Sequence, residues 1–342
     1  MNPTTEFILF SALKVVLVTI ILLTIVAYTV YVERKVCAFI QDRVGPNRTG
    51  PFGLLQPLAD AVKAFLKEDF VPGHVRKVYF WLAPAIVMVP SLVTIAVIPF
   101  GSTLGGQQMV LADLNIGILF TFAIVSLGVY GIVLAGYAAN SKYPFMGGIR
   151  SSAQVISYEV AMGLSVIPVF MLVGDLNLSS VIGYQAQGWF GWLVFKQPVA
   201  FLLFLIAGFA ETNRLPFDMP EAEQELAGGY NVEYGSIKFA MFFLGEYANM
   251  VAVSAMIVTL FLGGWTLPFY GLGEPATSFL VGLAHIGIFL AKMFAVLLFF
   301  IWVRWMLPRF RYDQLMDLGW KRFVPIALAN VILTAIYLWL EA

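Results

Sequence analysis

The sequence predicts an all-α polytopic membrane protein, with about eight transmembrane helices and an interfacial amphipathic helix between spans 1 and 2. Three observations carry this expectation. Of 342 residues, 60% are hydrophobic and only 12% charged, against roughly 25% charged in an average soluble domain. Too few polar side chains remain to coat a water-facing surface, and the mean hydropathy of +0.86 agrees. Apolar runs long enough to cross about 30 Å of hydrocarbon recur along the chain. The cations between those runs fall almost entirely on one side.

The runs cover residues 7–31, 79–100, 115–138, 155–173, 190–210, 239–262, 279–303 and 323–340. At such lengths only helices satisfy their own backbone polar groups. Lys196 and Pro198 interrupt the outer part of the fifth run, so its start can shift by a turn or two. The first run lacks the charge pattern and small-residue cleavage site of a signal peptide, so it is expected to be a retained span. With no low-complexity tract or internal repeat, residues 1–342 read as one integral membrane domain. Its inner connections are 32–78, 139–154, 211–238 and 304–322. Seventeen of the twenty Lys and Arg lie in those connections, Lys196 alone lies on the other side, and Lys14 and Lys292 lie within spans. This asymmetry places both termini outside.

Composition excludes several chemistries. The twenty cations are balanced by twenty Asp and Glu, which argues against a nucleic-acid partner with its basic footprint. A single cysteine, Cys37, cannot form an intrachain disulfide, a zinc ribbon or an iron–sulfur ligand set. His74 and His285, one in a polar loop and one in an apolar run, do not make a haem pair. No metal site is expected, and no flavin, haem or iron–sulfur cluster bound by this chain alone. Electrons handled here must sit on a partner or on a diffusible molecule.

The inner connections are long and chemically dense. In the first, Gly45, Pro46, Asn47, Gly50 and Pro51 punctuate a loop. Leu54, Leu55, Leu58, Val62, Phe65 and Leu66 then repeat at helical spacing, with Asp60, Lys63 and Lys67 on another face. Residues 52–70 thus suit a helix lying in the membrane interface; a solvent-side helix packed on another subunit is the alternative. In the third, residues 210–235 hold Glu211, Asp218, Glu221, Glu223, Glu225 and Glu233 against Arg214 alone. A helix start with a D-x-x-E cap accounts for Asp218, Glu221 and Glu223. It does not account for six acids beside a membrane span.

Carboxylates continue into the hydrocarbon: Glu246 lies in span 6, Glu159 about a turn into span 4, and Glu211 at the end of span 5. A charge at mid-membrane costs at least ~2.5–3.5 kcal/mol, so such residues face a wet cavity or a partner. Crowded acids of this kind can hold and release protons as a coupled set. For Glu246, a proton path stands against a static hydrogen bond. Lys292 and His285 share one face of span 7, where an ion pair between helices and a proton relay both remain open. Lys14 either snorkels or has a buried partner.

Four inner stretches are recognisable together: ERKVCAFIQDRVGPNRTGPFGLLQPLADAVKAFLKED, NSKYPFMGGIRSSAQVISYEV, AETNRLPFDMPEAEQELAGGYNVEYG and WVRWMLPRFRYDQLMDLGWKRFVP. They resemble the H-subunit family of proton-pumping NADH:quinone oxidoreductase, respiratory complex I, whose mitochondrial counterpart is NADH dehydrogenase subunit one. The likeness runs from about Glu33 to the last span. It implies a membrane subunit that anchors the peripheral electron-transfer arm and walls a chamber for ubiquinone or menaquinone as substrate. The quinone tail would thread in near residues 52–70, past Phe52 and Leu55. Arg34, Lys35 and Arg43 would line the chamber or contact the arm. Glu159, Glu211, Asp218, Glu221, Glu223, Glu225, Glu233 and Glu246 would match the acidic track leading towards the pumps.

The implied partners are the peripheral-arm iron–sulfur subunit and its quinone-site neighbour, small and antiporter-like membrane subunits, and membrane lipid. The implied location is the bacterial cytoplasmic (inner) membrane with both termini periplasmic, or the mitochondrial inner membrane. A stand-alone proton-coupled secondary transporter, and the equivalent subunit of a related membrane-bound hydrogenase, are the alternatives.

Overall fold

The computed structural model describes residues 3–105, 107–187, 191–220, 223–267, 275–276 and 278–341. They form an all-α bundle: α1 (Pro3–Ile40), α2 (Gln56–Leu66), α3 (Lys77–Thr94), α4 (Gly117–Ala138), α5 (Lys142–Val173), α6 (Leu178–Gln185) and α7 (Leu193–Lys196). Then follow α8 (Pro198–Glu211), α9 (Glu223–Leu226), α10 (Ser236–Phe261), α11 (Phe279–Met306), α12 (Tyr312–Asp317) and α13 (Val324–Glu341). A two-residue hairpin, Thr103–Leu104 with Gln107–Gln108, decorates the connection between α3 and α4.

Among the described residues, seven helices are long and apolar enough to cross a membrane; the Pro198–Glu211 helix is shorter. The hydrogen bonds between connections decide how that short helix runs. At one end, the Arg76 amide donates to the Ala138 carbonyl (2.9 Å), and the Phe310 amide donates to that of Pro216 (3.2 Å). There too the Ser236 hydroxyl donates to the Lys67 carbonyl at 2.8 Å. At the other end, Asn177 donates to Asp113 (2.8 Å), and Ser102 meets His285 at 2.7 Å. There the Gly263 amide donates to Gln185 at 2.9 Å. Connections therefore alternate between two ends, and α7–α8 must traverse the bundle between them. The expected fifth span is present in broken form: Gln197 separates α7 from α8, with Pro198 opening the second piece.

Two boundaries differ from the sequence reading. Helix α1 does not stop near residue 31 but runs to Ile40, so Glu33, Arg34, Lys35 and Cys37 ride on a rod about 57 Å long. Residues 139–154, read as a connection, are helical from Lys142 onward. Small residues there allow close packing rather than a turn: a Cβ on Gly147 would stand 3.0 Å from the Gly229 Cα.

The pillar of the bundle is α10, on which every residue from Met250 to Phe261 is buried. A helix apolar all round belongs in a core. Small side chains let its neighbours close in, as at Gly208 of α8, where a Cβ would stand 2.7 Å from Val253. The pillar ends in Gly263 and Gly264, whose φ values of 70° and 54° favour glycine. The Lys292 ammonium donates there to the carbonyls of Leu262 (2.7 Å), Gly264 (3.0 Å) and Thr266 (2.5 Å). Among the described residues, Lys292 therefore caps a chain reversal rather than pairing with an acid. Lys14 likewise donates to the Gln108 and Val110 carbonyls (2.9 and 3.1 Å).

The contact between α3 and α4 makes a stability prediction. A Cβ on Gly131 would stand 2.6 Å from Val87 Cγ2 and 3.0 Å from the Ala83 carbonyl, whereas one on Gly163 meets open space. Gly131→Ala should cost about 1–3 kcal/mol through overpacking, read as a lower Tm of the detergent-purified protein. Gly163→Ala should raise stability by roughly 0.5–1 kcal/mol through helix propensity.

Candidate functional site

Three helices and one irregular segment bring a buried charge network together at the cation-rich end. From α1 comes Glu33, from α10 come Glu246 and Tyr247, from α11 comes Arg304, and from the segment after α8 comes Arg214. Glu33 and Arg214 are each only 5% exposed. Arg214 Nη1 donates to the Glu33 oxygens at 3.2 and 3.4 Å. Its Nε lies 2.9 Å from Glu246 Oε1, an ion-pair contact rather than an aligned hydrogen bond. The Tyr247 hydroxyl donates to Glu33 Oε2 at 2.7 Å, and Arg304 donates to the other oxygen. The Arg214 guanidinium also stacks 4.2 Å from the centroid of the Tyr247 ring.

The chemistry of the partners explains the geometry. Burial works against the Arg214 charge, but Glu246, Tyr247 and Glu33 hold its pKa above the ordinary guanidinium range. Two carboxylates and two guanidiniums balance, and the planar arginine fork reaches two acids at once, Glu33 through hydrogen bonds and Glu246 through charge. Removing one member of a buried pair strands the other, at about 3–5 kcal/mol. Beside this network, Asp218 accepts from Arg309 at 2.6 Å and acts electrostatically on Glu246.

Beneath the network lies a cavity of about 50 Å³, lined by Glu211, Glu246, Asn249, Ser91, Thr212 and Asn213 among apolar residues of α3, α4 and α10. One water needs roughly 10–15 Å³ on this measure, so several fit and a ring-sized molecule does not. Glu211 Oε2 and Asn249 Oδ1 are buried there without a hydrogen-bond partner among the described residues. A smaller space of about 20 Å³ shares Glu211 and Asn249 and continues towards Thr94 and Thr121. Glu159 of α5 accepts from Ser126 and acts electrostatically on Glu211. Groups of this kind around water-sized space can pass protons as a coupled set.

The structure thus gathers Glu159, Glu211, Asp218 and Glu246. It places Glu225 and Glu233 of the expected row elsewhere. Glu225 pairs outward with Arg150 at 2.7 Å, and Glu233 lies 3.6 Å from His74. Glu223 begins α9, and Glu221 lies outside the described residues. Arg34 pairs with Asp60 at 2.6 Å, which ties α1 to α2. Arg43 donates to Gln41 at 2.7 Å, and the Lys35 ammonium sits 5.7 Å from the Tyr31 ring centroid. Phe52 and Leu55 are exposed just before α2, whose Leu58, Phe65 and Leu66 are bare as well. Sequence reasoning missed Glu33, Arg214, Tyr247 and Arg304 as site residues. Glu33 stands in plain view at the head of the first inner motif, and Arg214 is the lone cation among six acids. Among the described residues, no group of three or more His, Cys, Asp or Glu could hold a metal ion.

Comparison with known proteins agrees with this architecture. The family model described as NADH dehydrogenase matches residues 13–335. The NADH-quinone oxidoreductase H subunit of Rickettsia prowazekii is 54% identical over 95% of this chain and 92% of its own length. The second NADH-quinone oxidoreductase H subunit of Koribacter versatilis is 47% identical over 98% of both chains. NADH-quinone oxidoreductase subunit 8 of Rhodothermus marinus is 49% identical over 95% of this chain and 96% of its own. A bundle of apolar helices around a buried acid and arginine network, matched over nearly its whole length by these relatives, belongs to the NADH dehydrogenase family.

Proposed function

We propose that the chain is the membrane subunit of an NADH:quinone oxidoreductase that walls the quinone chamber and carries the effect of quinone reduction into the membrane. The observation that carries this reading is Arg214, which bridges Glu33 and Glu246, the latter a lining residue of the water-sized cavity. A guanidinium drawn towards one carboxylate leaves the other without its counter-ion, and a buried acid in that condition is completed by a proton. Quinone receives electrons from an iron–sulfur cluster of a partner subunit and takes up protons. The resulting change of charge at the cation-rich end shifts Arg214, and Glu246, Glu211 and Glu159 pass the change on to antiporter-like subunits. Two equilibria that share Arg214 bias one another.

The cavity is too small for a quinone ring, which separates proton handling from quinone binding. Quinone access falls to the exposed rim where Phe52 meets α2. Phe52 holds φ +54°, a conformation that a bulky side chain rarely adopts and that concentrates at functional sites. The Tyr31 hydroxyl fixes it by donating to the Phe52 carbonyl at 2.8 Å. The cation-rich end then faces the cytoplasm of a bacterium, with both termini periplasmic and the peripheral arm seated over Arg34, Lys35 and Arg43.

Three outcomes test this in the assembled complex. Arg214→Gln should lower NADH:quinone reductase activity at least about tenfold, equivalent to ~1.4 kcal/mol, while Arg150→Gln, at a surface pair, leaves it near wild type. Glu211→Gln should cut proton pumping, read by dye quenching in inverted vesicles, by a larger factor than Glu225→Gln; equal pumping in both would defeat the proton path. An azido-quinone should label the peptide containing Phe52 and Leu55, with an excess of unlabelled quinone abolishing the label.

A further inference from the structure

A second site lies at the opposite end, where the sequence leaves one cation outside the inner connections. The break at Gln197 and the last turns of α13 frame a groove of about 560 Å³, within the 300–1,000 Å³ range of small-molecule sites. Its floor is a buried polar ladder. Gln197 donates to the Thr334 hydroxyl at 3.1 Å and accepts from Asn330 at 3.2 Å. One wall carries Lys196, whose ammonium sits 4.4 Å from the Tyr184 ring centroid and 3.2 Å from its hydroxyl. The other wall carries Glu341, which accepts from the Tyr337 hydroxyl.

We propose that this groove binds the headgroup of a zwitterionic phospholipid of the phosphoethanolamine class. A positive and a negative side chain, each tethered to its own tyrosine, face one space across a polar floor. Lys196 and the Tyr184 hydroxyl suit the phosphate, and Glu341 suits the primary ammonium. Pro198 opens α8 in the same groove, and the first amides of a helix have no intrahelical partner, which adds positive potential near the phosphate. Leu172, Leu333 and Leu338 on the rim give the acyl chains an apolar path. A phosphatidylglycerol headgroup would satisfy Lys196 but bring no cation to Glu341. A polypeptide helix filling the groove would press apolar surface on the ladder and on both charges.

The test uses the assembled complex in mild detergent, supplied with photoactivatable phosphatidylethanolamine or photoactivatable phosphatidylglycerol in mixed micelles. The expected result is labelling of segments 184–198 and 330–341 by the ethanolamine lipid, with about tenfold less by the glycerol lipid, the equivalent of ~1.4 kcal/mol. Lys196→Ala and Glu341→Gln should each reduce the ethanolamine labelling by a similar factor. Equal labelling by both lipids, labelling indifferent to both substitutions, or none on these segments because another subunit fills the groove, would overturn the assignment. Should either variant fail to assemble, the wild-type comparison of the two lipids decides it.

Discussion

A charge taken out of water must be matched where it lies, and the arrangement at the cation-rich end follows from that constraint. Glu33 and Arg214 are almost fully buried, so neither is tolerated without the other. Their pairing fixes the cation-rich end of α1 against the segment after α8, and Arg304 and Tyr247 bring α11 and α10 to the same carboxylate. Three helices and a segment without regular structure thus share one electrostatic centre. Gly245 of α10, where a Cβ would stand 3.0 Å from Val87, lines the small cavity together with Glu246.

Much of this was legible in the sequence. Length and hydropathy define spans because the bilayer imposes a thickness, and Glu159, Glu211 and Glu246 stand out because acids in hydrocarbon need a reason. The charge asymmetry also separates the two ends, which the hydrogen bonds between connections reproduce. What escaped was long-range pairing. Glu33 follows an apolar run and reads as the start of a loop, and its partner Arg214 lies 181 residues away. The row of acids after α8 looked continuous, yet Arg150 and His74 draw Glu225 and Glu233 elsewhere. Residues 139–154 read as a connection because the apolar run begins only at Val155, whereas Gly147 and Gly148 let a helix approach a neighbouring backbone there.

The amphipathic α2 shows a different limit. It has no buried residue, and it is moored by Arg34 to Asp60 and by Ser236, whose hydroxyl donates to carbonyls at its end. Periodicity found its apolar face, but periodicity cannot say whether lipid or protein covers such a face. The moorings constrain where the face is presented: beside the cation-rich end of α1, next to the strained Phe52. Apolar surface there adjoins buried charge, which is the juxtaposition that a molecule with a long hydrocarbon tail and a reactive polar head requires.

The shortness of α8 has an electrical consequence. Fourteen residues span about 21 Å, less than the ~30 Å of hydrocarbon that the longer helices cross, and the break at Gln197 puts polar side chains at its far end. Where water reaches the groove at Gln197, the insulating layer along α8 would be thinner than around it. A transmembrane voltage dropped over a shorter path gives a steeper gradient, and Glu211 stands where that gradient begins. A proton passed at Glu211, as proposed, would then be coupled more tightly to the membrane potential than one passed beside a full-length helix.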